Sequence, residues 1–196
     1  MLFKQGNGLF SVSPAGGGEG GGGGNLSLIV SGSMAGVSEL EFTEGVSVPH
    51  LRLEIIGISP DVDSMNMLLL ASNNAGVSYL TTSGNYRYQY VLSRGANTSV
   101  SYSKVASSNS WVNFSFNGGD TGEGGNLVFD FYNLDSAGLY HWVSYNLMMY
   151  ETNGQPNQGT GIGVVKANTS IVDAIKLTFS KATSASRYAL YEVKAE

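Results

Sequence analysis

Short apolar runs separated by turn-forming residues fill this chain from Leu26 to its end. Leu51–Ile55 alternates strictly between apolar and charged residues, and Glu39–Phe42 has the same period of two. A period of two is typical of a strand with one buried face, and no segment shows a sustained 3.6-residue apolar period of helix length. The sequence therefore predicts an all-β protein.

Further strands are expected where aromatic and β-branched residues cluster. The predicted segments are 86–90, 111–116, 127–131, 139–150, 175–179 and 187–194. Met65–Ala71 is continuously apolar except at Asn66, so it is either a strand covered on both faces or a short buried helix. About eight to eleven strands in one domain indicate a β-sandwich or barrel, and a jelly roll fits this number and size.

Turn-forming residues mark the breaks between these runs. Asn117-Gly118 and Asn153-Gly154 are predicted turns, because both residue types tolerate positive φ. Pro49 and Pro60 are expected at strand ends, where a missing N–H costs least.

The first 25 residues have a different composition. A glycine run, Gly16–Gly24, is broken only by Glu19, and such a run cannot hold a fixed shape by itself. We expect an apolar docking arm over 1–15, a Gly-rich linker over 16–25 and a single jelly-roll-like β-sandwich over 26–196. The arm is predicted to dock on a partner or on the domain itself. Its expected binding residues are Leu2, Phe3, Leu9, Phe10 and Val12.

Charge and cysteine content exclude several classes of function. Only 13% of residues are charged, the net charge is −5, and the lysines and arginines are scattered, which argues against a nucleic-acid partner. The chain has no cysteine, so disulfides and zinc thiolate sites are excluded. We expect no signal peptide and no membrane partner, because the longest apolar stretch, Met67–Ala71, is too short to span a bilayer. We therefore expect the chain to be synthesised in a cytoplasm and not exported by a standard signal.

Several motifs resemble catalytic or metal sites but lack the residues that such sites need. Asp120-Thr-Gly122 matches the aspartic-protease tripeptide, but a second such loop is missing. The glycine clusters, including Gly159–Gly163, lack the Lys-Ser/Thr of a phosphate loop and are interpreted as turns and linkers. Asp61, Asp63 and Ser64 could ligate calcium, but the rest of an EF-hand is absent.

The two histidines give no support to catalysis either. His50 follows a proline at a strand entry, and His141 is expected to pack at a sheet face. We therefore predict no catalytic residue, no cofactor and no metal. Aromatic residues leave one binding alternative open, since they either stack on sugars or fill the core and interfaces. The residues concerned are Tyr86, Tyr88, Tyr90, Trp111 and Trp142.

The C-terminal segments 170–180 and 186–194 resemble the closing strand pair of β-sandwich virion proteins of tailed bacteriophages. Two departures are Glu192, where the family has a glycine after Leu-Tyr, and an Ala-Ser pair at the usual turn glycine. The residues that fit are Ala174, Ile175, Leu177, Phe179, Tyr188, Leu190, Tyr191 and Lys194.

This resemblance implies a jelly-roll-like module located on the virion. We expect a non-enzymatic capsid decoration (cement) protein, a homotrimer that binds the major capsid protein through its arm and its subunit contacts. A tail adaptor, fibre or tailspike module bound to tail proteins is an alternative. A lectin-like receptor-binding β-sandwich is another.

Overall fold

Every regular element in the described part of the chain is a β-strand. A computed structural model describes residues 2–5, 8–11, 25–60, 65–94, 100–116, 124–150, 156–166 and 170–194. The strands are β1 (Leu2–Gln5), β2 (Gly8–Ser11), β3 (Leu26–Ser33), β4 (Glu39–Phe42), β5 (His50–Pro60), β6 (Met65–Ser72), β7 (Tyr86–Arg94), β8 (Val100–Ser108), β9 (Val112–Phe116), β10 (Gly124–Tyr132), β11 (His141–Tyr150), β12 (Pro156–Val165), β13 (Ala174–Phe179) and β14 (Thr183–Val193).

Two antiparallel sheets form the body of the protein. The larger sheet has eight strands in the order β3-β14-β5-β10-β11-β12-β7-β8, and the smaller has four in the order β4-β13-β6-β9. The arm strands β1 and β2 pair with each other as a separate antiparallel hairpin. The all-β, β-sandwich-like prediction is therefore confirmed.

The core lies between the two sheets, because each sheet turns one alternating set of apolar side chains inwards. Phe42 of the smaller sheet contacts Tyr188 of the larger edge-on at 5.6 Å between ring centroids. Phe114 contacts Tyr145 in the same way at 4.8 Å. Trp111 is fully buried and meets Phe131 at 5.5 Å. These ring contacts join the two layers into one continuous core.

The prediction that Gly159–Gly163 forms turns and linkers is wrong, because this segment belongs to strand β12. Gly159, Gly161 and Gly163 occupy alternate positions of a strand, on its inner side. A Cβ built on Gly161 would lie 2.3 Å from Tyr145 Oη, and one on Gly163 would lie 2.6 Å from the Trp111 carbonyl oxygen. Gly161 and Gly163 are therefore required, because Tyr145 and Trp111 lie directly against this backbone.

Most of the other predicted strand positions agree with the observed strands. Each of the predicted segments overlaps a strand, although 111–116, 139–150 and 187–194 extend one or two residues beyond it, and Met65–Ala71 lies in strand β6 rather than in a helix. Strand β5 runs from His50, which follows Pro49, to Pro60, as expected. Strands β3, β8 and β12 were not among the predicted segments. The described part from Leu26 onwards consequently holds twelve strands, one more than the upper expectation.

Candidate interaction surface

The outer face of the eight-stranded sheet carries most of the exposed large apolar side chains. Among the described residues, all but four of these side chains lie on this one face, and the four exceptions are in loops. We call this set the outer apolar face. Its members are Leu26, Leu28, Ile56, Val91, Val100, Tyr102, Tyr132, Trp142, Met148, Tyr150 and Ile162.

The alternation along each strand produces this face. In β11, His141, Val143, Tyr145, Leu147 and Met149 are buried in the core, and the intervening positions face outwards. Apolar residues also occupy outward positions of this strand: Met148 is 57% exposed and Trp142 is 41% exposed. Three of the five outward positions of β11 are thus large and apolar or aromatic, whereas a solvated sheet face normally carries polar residues.

A β-bulge brings Ile56 to the surface. Ile55 and Ile58 are both buried, so Ile56 and Gly57 together occupy the outward position between them. Gly57 has φ of +67°, and its N–H donates to Asn126 Oδ1 at 2.9 Å. The extra residue leaves Ile56 exposed on the outer apolar face.

One buried carboxylate lies beneath this face. Arg52 donates to both oxygens of Asp130, at 2.8 and 3.0 Å, and His50 Nε2 lies 3.1 Å from the same carboxylate. The His50 ring stacks on Tyr132 at 4.6 Å. The hydrogen bonds to Asp130 raise the pKa of Arg52 above its ordinary value. The cluster neutralises its own charge, so it stabilises the sheet without making the face strongly polar.

The opposite side of the molecule is different. The outer face of the four-stranded sheet carries the charged residues Glu39, Glu41 and Lys176, and the loop after β6 covers part of it. Tyr79 from that loop donates to Glu41 Oε1 at 2.7 Å, and Lys176 Nζ lies 4.3 Å from the Tyr79 ring centroid. The pKa of Tyr79 is raised above its ordinary value, mainly because the phenol is buried and also because it donates this hydrogen bond to Glu41. This part of the face is therefore covered by the chain itself.

The arm lies beside the edge of the smaller sheet. Strand β1 pairs with β2 in a register that sets Phe3 opposite Phe10. Cα atoms of β1 come within 8 Å of Cα atoms of β4, an edge strand of the four-stranded sheet. Leu2, Phe3, Leu9 and Phe10 thus belong to one hairpin, and Val12 lies outside the described residues. Their predicted role in binding stays a prediction.

At least three clefts open along the eight-stranded sheet, and two of them bear on binding. The larger, of about 640 Å³, lies at the strand ends that continue into segments outside the described residues. Asn157 lines it and is 2% exposed, and neither polar atom of its amide has a hydrogen-bond partner. The smaller, of about 300 Å³, lies on the outer face around Trp142.

The structure describes the surroundings of both histidines. His141 is fully buried, and its two ring nitrogens each lie 2.6 Å from a carbonyl oxygen, those of Asn133 and Ser170. It therefore ties the β10–β11 connection to the segment before β13. His50 belongs to the Asp130 cluster described above.

The five aromatic residues considered for sugar binding do not form one exposed set. Tyr86 and Trp111 are fully buried and stack on each other at 6.4 Å, so the sugar-binding alternative is wrong for these two. Tyr88 and Tyr90 are half-buried on the inner side of β7. Only Trp142 is on the outer face.

The remaining candidate sites fall outside the described residues. These are Asp120-Thr-Gly122, the calcium candidates Asp61, Asp63 and Ser64, the glycine linker, and both Asn-Gly turns. Within the described ranges, no group of three or more His, Asp or Glu side chains could hold a metal ion. The described residues also contain no helix that could cross a membrane.

The C-terminal segments that carry the phage resemblance form two consecutive strands in different sheets. Ala174–Phe179 is β13, between β4 and β6, and Thr183–Val193 contains the second segment as β14, between β3 and β5. They do not pair with each other. Comparison of the chain with protein-family models, curated proteins and solved structures gave no match.

Proposed function

We propose that this protein is a non-enzymatic structural protein of a tailed-bacteriophage virion, and specifically a capsid decoration protein that binds the shell. The outer apolar face supports an assembly role, because exposed apolar side chains such as Leu26 and Leu28 at its edge are suited to contacts between subunits, while the arm is the proposed contact to the shell. The choice of a virion as the assembly rests on the residues of β13 and β14 that resemble those of virion proteins.

The proposal includes a jelly-roll topology. In a jelly roll, eight strands numbered along the chain form two sheets with the orders 1-8-3-6 and 2-7-4-5. Numbering β3, β4, β5, β6, β9, β10, β13 and β14 in this way generates β3-β14-β5-β10 and β4-β13-β6-β9, which agree with the observed neighbours. Strands β11, β12, β7 and β8 would then extend one sheet. Jelly rolls are frequent in viral capsids, which supports the proposal.

In the proposed mechanism, the arm binds the shell, and the linker allows the arm to extend to its binding site. A nine-residue glycine run, 16–24, has an r.m.s. span of about 15–18 Å, enough to place the arm in a neighbouring groove of the shell. The arm hairpin lies beside the four-stranded sheet, so this side would face the major capsid protein. A homotrimer would present three arms and raise the effective concentration of each. Leu26 and Leu28, on the edge strand β3, are suited to the contacts between copies.

Co-sedimentation with capsid shells that lack the protein tests this mechanism. The full chain is expected to bind, and a variant with Leu2, Phe3, Leu9 and Phe10 changed to serine is expected to stay in the supernatant. Lys4→Gln is the matched control in the same hairpin and should bind as the full chain does. Binding of the full chain to tails but not to shells would favour the tail alternative. Equal sedimentation of the quadruple variant would refute the role of the arm.

A further inference from the structure

The smaller cleft has the shape of a shallow groove on the outer face of the sheet extension. Trp142 of β11 forms one side, Ile162 and Val164 of β12 form the floor, and Arg87, Gln89 and Lys104 come from β7 and β8. Its volume of about 300 Å³ is at the lower end of the range for ligand sites. A groove of this size holds one or two sugar rings, not a protein domain.

The polar groups of the groove are held in place by the chain itself. Arg87 Nε donates to the Ala106 carbonyl oxygen at 3.1 Å, which orients the guanidinium, and its terminal nitrogens have no hydrogen-bond partner among the described residues. Tyr102 donates to Gln89 Oε1 at 3.3 Å, and within the described part of the chain the amide nitrogen of Gln89 has no acceptor. Preorganised donors of this kind lower the ordering cost of binding.

The groove offers donors and positive charge. Neither Arg87 nor Lys104 forms an ion pair with a described carboxylate, and no acidic residue lines the groove. The protein as a whole carries a net charge of −5, so this local excess of cations is opposite in sign to the rest of the molecule. Such a site is complementary to a carboxylate, and a guanidinium can bind one through two parallel hydrogen bonds.

The apolar part of the groove is a flat platform. The Trp142 side chain is 41% exposed, with aliphatic Ile162 and Val164 beside it on the next strand. An exposed indole on a rigid sheet offers a broad apolar surface at little conformational cost. Sugar rings have apolar C–H faces that stack on such surfaces, and their hydroxyl oxygens accept hydrogen bonds from donors at the edge.

We propose that this groove binds a saccharide that carries a carboxylate, such as a uronic or sialic acid unit. The ring would stack on Trp142, the carboxylate would pair with Arg87 and Lys104, and Gln89 would donate to a hydroxyl or ring oxygen. This site lies on the opposite sheet from the arm hairpin, and the proposal does not depend on where the protein attaches.

The indole N–H signals in a ¹H–¹⁵N NMR spectrum provide a direct test, because the chain has two tryptophans and one of them is buried. The probes are 3′-sialyllactose and a hyaluronan tetrasaccharide, with lactose as the neutral counterpart of the first. Titration with at least one acidic probe, up to about 10 mM, should shift the Trp142 signal and leave that of Trp111 unchanged.

Variants distinguish a specific site from weak surface binding. Arg87→Gln and Lys104→Gln should each weaken binding of the acidic probe about tenfold, and Trp142→Ala should abolish it. Met148→Ala, on the same face but outside the groove, is the matched control and should bind normally.

Three results would overturn the proposal. One is a Trp142 signal that neither acidic probe moves. Another is equal binding of lactose and 3′-sialyllactose, which would remove the role of the carboxylate. The third is a Trp142 signal that shifts with protein concentration in the absence of sugar while the Trp111 signal does not, because a second copy of the chain would then occupy the groove.

Discussion

The two faces of the eight-stranded sheet use the same kinds of residue in different surroundings. On the inner face, Phe129, Phe131 and Tyr145 pack against the four-stranded sheet and are almost completely buried. On the outer face, Trp142 and Tyr150 are similarly large but remain exposed. The inner residues therefore contribute to folding, whereas the outer residues contribute little to it and are available for binding.

The two tryptophans provide the largest contrast between these faces. Trp111→Ala should lower the free energy of unfolding by about 3–5 kcal/mol, because it removes a buried ring and leaves a cavity. Trp142→Ala should change it by only about 0.5 kcal/mol. Urea unfolding of both variants checks this pair. Similar losses in the two variants would mean that something covers the outer face in the folded protein.

The glycines of β12 test how closely the inner face is packed. Gly161→Ala should cost about 1–3 kcal/mol, because its Cβ would lie 2.4 Å from the Gln89 carbonyl oxygen as well as close to Tyr145. Gly159→Ala is the matched control in the same strand, since its Cβ would have no neighbour closer than 3.4 Å. Thermal and urea unfolding should separate the two variants. Equal stability would contradict the close approach of Tyr145 to this backbone.

The Asp130 cluster tests whether polar groups on the outer side are structural. Asp130→Ala should cost about 1–2 kcal/mol, because Arg52 loses both hydrogen bonds but keeps partial access to water. Glu44→Ala, in an exposed loop, should have almost no effect on unfolding. A neutral result for Asp130→Ala would show that the cluster does not stabilise the sheet.

The buried tyrosines predict a small loss of stability in alkali. Burial raises the pKa values of Tyr86 and Tyr145 above the ordinary value of about 10. Below that pH both phenols are protonated in the folded and unfolded states, so their contribution is constant. Above it the unfolded chain ionises first, and the free energy of unfolding should fall by up to about 1.4 kcal/mol per pH unit for each tyrosine.

Urea titrations at about pH 8, 9.5 and 11 measure this slope. Tyr145→Phe should reduce the slope because one of the two buried phenols is then absent. A free energy of unfolding that stays constant up to pH 11 would indicate that these phenols ionise in the folded state.

The all-β class could be predicted from the sequence because apolar residues recur with a period of two along most strands. Strand β12 escaped prediction because its inner side is glycine, whose role depends on Tyr145 and Trp111 from distant segments. Strand β8 is serine-rich and has little apolar periodicity. The alternation of glycine in Gly159–Gly163 was the one local signal that could have indicated a strand.

The outer apolar face could be predicted only in part from the sequence. The segment 139–150 has large apolar or aromatic residues in both alternating sets of positions, interrupted in one set by Ser144 and Asn146, which could have indicated a strand with a partly apolar outer face. The groove, however, combines Arg87, Lys104 and Trp142 from three strands, and only the sheet order β11-β12-β7-β8 brings them together. Strand order depends on long-range pairing that local patterns do not encode.

Quantitative mass spectrometry of virions purified from cells that produce this protein tests the proposed function most directly. A capsid decoration protein should be present at a simple fraction of the copy number of the major capsid protein. A copy number near that of the portal would assign the protein to the tail. Its absence from the virions would contradict the account.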